Sequence, residues 1–317
     1  MNIANLCRFT KDEIRLIIPY LDLDSIIWHC RVKPSPETAF CILLGRLSYP
    51  RKEAALAALF GRSASWISIV FLDILQHLQH RYHRIIHWHP MLMYTRIQSY
   101  AQSLHQAGGL PGIWEFLDGT FRPICRSTEN QKFYYSGYKK LHGFKYQAIV
   151  TPDGLIPSFI GPFEGKMNDQ TMFISSELEE ILLQILHGNE LLYLYGDSEY
   201  SSLYTVITPY LRRYEISSSE RQFNLELSRD QISVKQAFGL VTNLWKANAF
   251  KILLRSQSMP VAALYEIALL LSNCFTCLHD NQISERYNIK SPSLKQYLIA
   301  TGLYYLSLCK RDKINAN

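Results

Sequence analysis

Residues 112–161 read GIWEFLDGTFRPICRSTENQKFYYSGYKKLHGFKYQAIVTPDGLIPSFIG. The apolar run Ile113-Trp114-Glu115-Phe116-Leu117 delivers Asp118 into Gly119-Thr120, the pattern of a buried strand that presents a carboxylate at its carboxyl end before a glycine turn. A loop dense in Lys and Tyr follows. Residues 144–150 and 155–160 then flank Thr151-Pro152-Asp153-Gly154, two strand-like runs around a Pro-Asp-Gly turn, which predicts a β-hairpin.

Further along, residues 191–200 (LLYLYGDSEY) again combine an apolar strand with a glycine and an aspartate, here Gly196 and Asp197. One Asp-Gly after a strand is ordinarily a turn. A pair of strand-terminal carboxylates in one α/β unit instead suggests a site for a hard, oxygen-preferring divalent cation such as Mg²⁺ or Mn²⁺.

Composition is that of a folded chain. With 317 residues, 48% hydrophobic and 19% charged, a full core can be buried and two domains are expected. The net charge of +6 is compatible with nucleic acid without requiring it. Seven cysteines without regular spacing, and a polar start, predict a reducing compartment. Cys274 and Cys277 form a C-x-x-C inside an apolar helical segment and are read as core packing. No apolar run free of polar groups has the length of a membrane span, so no membrane association is expected.

The first 110 residues read as an all-helical domain. Thr10 and Glu13 make a capping box, Pro34-Ser35-Pro36 breaks the chain, and helices at 51–60 and 64–80 are joined by Gly61-Arg62-Ser63, a possible helix-turn-helix. The second of these has a polar face of Ser65, Ser68, Asp73, Gln76 and Gln79, with Arg51, Lys52 and Arg62 near enough to meet phosphates. His77, His80, His83, His87 and His89 are read as a solvated helix face, and Arg81, Arg84 and Arg96 as a basic segment that could follow a DNA backbone. Gln106-Ala107-Gly108-Gly109-Leu110-Pro111-Gly112 is a linker, which places the second domain at 111–317. Within it, Lys132, Lys139 and Lys140 interleave with four rings, Phe133, Tyr134, Tyr135 and Tyr138, a pattern suited to distorted or single-stranded DNA, with Tyr134 and Tyr135 as the contact residues. Asn168 or Asp169 is a natural cap for the helix after 168.

Leu117-Asp118-Gly119-Thr120, residues 134–143 (YYSGYKKLHG), Gly165-Lys166-Met167-Asn168-Asp169, Gly196-Asp197-Ser198-Glu199-Tyr200, Thr208-Pro209-Tyr210 and residues 223–229 (FNLELSR) resemble, in order and spacing, the DDE-type nuclease domain of PIF/Harbinger transposases and their domesticated relatives. The resemblance covers roughly residues 110 to 250. It implies an α/β fold, a ribonuclease H-like mixed sheet flanked by helices, that holds two Mg²⁺ or Mn²⁺ ions with an Asp, Asp, Glu set and acts on DNA in the nucleus, often beside a separate DNA-binding partner protein. In that scheme Asp118 bridges both ions and Asp197 holds one, while Asp169 caps and supports the site or ligates directly, and Arg229 contacts DNA.

The third acid departs from the pattern. Residues 228–239 read SRDQISVKQAFG, so that Lys235 stands where the family has glutamate and Gln231 where an arginine is common. Asp230 lies five positions from Lys235, about 500° round a helix, well off the required face. The expectation is a transposase-derived, metal-dependent DNA endonuclease domain impaired at Lys235, with a domesticated DNA-binding or partner-binding protein as the alternative. Lys235 is expected to sit among the aspartates or, on a rotated helix, to point to solvent while Glu226, Asp230 or Asp169 completes the site.

Overall fold

The run that opens at Ile113 forms the central strand of the molecule, β1 (Ile113–Pro123), in a computed structural model that describes residues 6–126, 129–186, 192–200, 203–211, 216–249, 254 and 260–299. Trp114, Phe116 and Leu117 are all buried, because helices cover both faces of the strand. Preceding it are α1 (Lys11–Leu21), α2 (Pro36–Ser48), α3 (Glu53–Phe60), α4 (Ala64–His87), α5 (Pro90–Thr95) and α6 (Ile97–Gln106). The Thr10/Glu13 capping box forms as expected, and Ser35 and Ser63 cap α2 and α4 through their hydroxyls.

The sheet is mixed. After α7 (Gln131–Tyr134) and the short β2 (Tyr135–Ser136), β3 (Leu141–Val150) runs antiparallel to β1 and β4 (Ser158–Glu164) runs antiparallel to β3. Beyond α8 (Asp169–Ser175) and α9 (Leu178–Leu186), β5 (Tyr193–Gly196) and β6 (Val206–Ile207) add parallel strands on the other side of β1. Six strands in this order, three antiparallel neighbours followed by two parallel ones with β2 at the margin, agree with a ribonuclease H-like architecture. The expected hairpin is β3 and β4, but its second strand starts at Ser158 rather than Leu155. Residues 155–157 are diverted because the Asn273 side chain bonds both backbone groups of Ile156, at 2.9 and 3.0 Å. Gly154 takes the left-handed φ of 80° that closes the turn onto Thr151.

Helices α10 (Ser218–Leu244) and α11 (Val261–His279) cover one face, α8 and α9 the other, and α12 (Gln282–Arg286) and α13 (Leu294–Ile299) follow. One buried cluster runs from Phe9, Leu43 and Leu78 through Phe116 and Tyr146 to Leu270, so the helices before β1 share a core with the sheet. Contrary to the reading of its composition, α11 is long and apolar enough to cross a membrane, yet in this fold it is a mostly buried core helix. Cys274 is buried within it and burial raises its thiol, as core packing requires. Cys309 and the tail lie outside the described residues.

Several polar residues expected in solvent are turned inward. Asp73 is buried, accepting from the backbone of His29 at 2.9 Å and pairing with its ring at 2.7 Å. Gln79 donates to Glu266 of α11. His89 is fully buried, contacting the Tyr297 carbonyl at 2.9 Å and capping α5, while His80 and His83 are exposed as expected. Arg96 is spent on the buried Asp153 at 2.7 Å and on the carbonyl of Lys290, and Arg81 on Asp22. Single-helix periodicity does not show such partners, because each is recruited from a distant segment.

Candidate metal centre

Asp118 does not end its strand. β1 continues to Pro123 with Gly119 paired to Gln147 of β3, so the expected turn at Gly119-Thr120 is not formed. The glycine serves a different purpose: a Cβ there would lie 2.5 Å from Oδ2 of Asp169 and 2.7 Å from its Cγ. β5 stops opposite Leu117, and Asp197 follows at its end, beside Asp118 on the neighbouring strand. Asn168, not Asp169, caps α8 by accepting from Thr171 at 2.7 Å, which leaves the carboxylate of Asp169 free to enter the site from below Gly119.

Asp118, Asp169 and Asp197 can each offer one oxygen such that all three lie within 4.8 Å of one another. Asp169 is therefore part of the acidic group itself. Lys145 of β3 contacts Asp169 at 2.5 Å and is the one side-chain cation in ion pair with the trio among the described residues. Sequence reasoning missed Lys145. Its signal was available in the alternation of β3, which puts Lys145 and Gln147 on one face, but nothing local says which helix faces them.

Burial and the charges of Asp197 and Asp169 push the Asp118 carboxyl up to about 7, against a hydrogen bond from the Gly119 backbone and the charge of Lys235. Asp197 is raised too, first by burial, although the Glu199 amide donates to it at 2.9 Å. Tyr200 is buried with no hydrogen-bond partner for its hydroxyl, and the amide of Gln147, across from Gly119, is likewise unpartnered among the described residues. Crowded carboxylates, all of hard oxygen, suit a divalent cation, which would relieve the repulsion that holds Asp118 high.

Helix α10 flanks this group and carries no acid on the near face. Asn224, Ser228 and Gln231 line a cavity of about 360 Å³ together with Asp197 and Tyr210. Lys235 lies on the same stripe, within about 60° of arc. It is exposed and ion-paired to no described carboxylate, while its charge still bears on Asp118 and lowers that carboxyl. Asp230 is on the opposite side, held by Tyr287 at 2.9 Å and Arg286 at 3.2 Å, and Glu226 accepts from Gln222. Neither replaces the missing acid.

Of the loop residues expected to meet DNA, Lys132, Tyr135, Lys139 and Lys140 are exposed. Tyr134 is half-buried with its ring edge-on to Phe144, so it anchors the loop instead of offering a stacking face. Gly165 bonds the Phe133 carbonyl and seats the loop four residues before Asp169. Tyr138, 87% exposed and 5.0 Å from the Lys139 ammonium, is the most open ring of the loop. Arg229 is exposed on the flank of α10.

No curated protein and no solved structure matches the chain. Residues 117–273, which hold all three aspartates and the whole of α10, match the family model described as DDE superfamily endonuclease.

Proposed function

We propose that the chain is a transposase-derived nuclease domain of PIF/Harbinger type that binds DNA and one divalent ion, Mg²⁺ or Mn²⁺, and cleaves poorly. What supports this is the pairing of a three-aspartate cluster with an α10 face that offers Asn224, Ser228, Gln231 and Lys235 and no carboxylate. Asp118, Asp169 and Asp197 would hold the ion. When bound, it would polarise a phosphodiester and favour the attacking oxygen. The chain's own groups do the rest: Lys145 fixes the orientation of Asp169, Asp118 can hold a proton near neutrality, and Lys132, Lys139 and Lys140 attract the phosphate backbone. A second ion would find no anionic ligand on α10, and the Lys235 charge opposes its approach.

The left-handed Gly61 between α3 and α4, with exposed Arg62 and Ser65, keeps a helix-turn-helix contact with DNA within this proposal, as does a nuclear location and a separate protein that supplies sequence recognition. A phosphodiester cleavage assay in Mg²⁺ or Mn²⁺ tests it. The native chain should cleave at or below detection and Lys235→Glu should gain nicking. Robust cleavage by the native chain, abolished by Asp197→Ala and indifferent to residue 235, would refute the impairment.

A further inference from the structure

The cavity beside Asp197 has a chemistry that the acidic cluster does not explain. It measures about 360 Å³, inside the range of small-molecule sites, and no cation is among its described lining residues. The phosphate belongs at the ion on the aspartates, and the described walls of the cavity carry no cation for a second one, so the cavity suits a neutral group. Its walls combine flat apolar groups with amides. Tyr210 is 49% exposed, and its backbone is clipped to α10 by Asn224, which accepts from its N–H at 2.8 Å and donates to its carbonyl at 2.9 Å. The ring is further set by an edge contact to Phe223, 5.3 Å between centroids. Tyr210 is thus a positioned ring with an open side. Both ends of the Asn224 amide are used by that clip, and the Ser228 hydroxyl donates to Leu225 but can still accept. Gln231 also lines the cavity.

We infer that this cavity receives one unstacked nucleobase of the DNA strand, with Tyr210 as the stacking platform and Gln231 and Ser228 meeting the base edge. A neutral, planar, hydrogen-bonding group matches each property of the walls. A glutamine amide pairs in two-point fashion with adenine, so adenine is the preferred base. The inference rests on the nuclease reading above, and specifies its substrate: DNA with an unpaired or easily flipped nucleotide next to the phosphate held at Asp197.

The test uses the full chain in Ca²⁺, with a fluorescent duplex ending in a short single-stranded fork that carries adenine or an abasic residue at the junction. The adenine fork should bind about tenfold more tightly than the abasic one, the size of a single stacking contact. Tyr210→Ala should erase the difference, Tyr210→Phe should keep it, and Gln231→Ala should reduce the advantage of adenine over other bases. Equal affinity for the two forks, or an undiminished difference in Tyr210→Ala, overturns the base pocket and leaves DNA binding standing. No binding to either fork overturns the pocket and the nuclease reading together.

Discussion

Asp169 lies so close to the α-carbon of Gly119 that any side chain at residue 119 would collide with its carboxylate. The glycine after Asp118 is thus a clearance for a third acid arriving from α8. Gly119→Ala should push Asp169 out of the cluster while the strand, paired on one edge to β3, persists. Mn²⁺ affinity should fall about tenfold or more, with a native circular dichroism spectrum. Unchanged Mn²⁺ affinity would show that Asp169 is not a ligand.

The raised Asp118 carboxyl gives a pH signature. Its folded pKa, about 7, exceeds the ordinary 3.8, so the folded chain binds more protons than the unfolded one between those values, and the ion-free protein loses this contribution to stability as pH rises through about 7. Ion binding must displace that proton. At pH 6, titration calorimetry in buffers of different ionisation enthalpy should detect proton release on Mg²⁺ binding, and affinity should climb towards pH 8. Absence of any release at pH 6 would place the protonated carboxyl elsewhere.

His89 acts in the opposite direction. Burial holds its imidazole down at about 4, below the 6.5 of an exposed ring, although the carbonyl of Tyr297 opposes this. The unfolded chain therefore binds more protons in that window, and stability present above pH 6.5 is lost as pH falls towards 4, by about 3 kcal/mol in full. Denaturant unfolding at pH 7 and pH 5 should show a flatter pH slope for His89→Asn than for the native chain. Identical slopes would count against it.

Lys132, Lys139 and Lys140 stand exposed on one loop anchored beside Asp169. Replacing all three with alanine should weaken DNA binding for every sequence alike and lower the salt slope by about 0.9 per lost phosphate contact. An unaltered slope removes the loop from the interface.

How much could be read in advance differs by the kind of signal. Asp118 and Asp197 were legible because each follows an apolar strand beside a glycine, and the β3–β4 hairpin because Gly154 must take a left-handed turn. Asp169 was legible as a helix start and, through the family resemblance, as a supporting or ligating acid, but its place under Gly119 depends on how α8 crosses the sheet. Lys145 and the inward turns of Asp73, His89 and Arg96 depend on partners 24 to 208 residues away. The substitution at residue 235 was plain in the sequence. Its exposure was not, because helical phase fixes the face of α10 but not how far its tip reaches.

A Mn²⁺ titration followed by electron paramagnetic resonance, comparing the native chain with Asp197→Asn and Lys235→Glu, tests the acidic cluster most directly. The native chain should bind one ion, Asp197→Asn should bind it at least about tenfold more weakly, and Lys235→Glu should bind more tightly or take up a second ion. A native chain that binds no Mn²⁺, or an Asp197→Asn variant that binds it equally well, would contradict the assignment of Asp118, Asp169 and Asp197 as a metal centre.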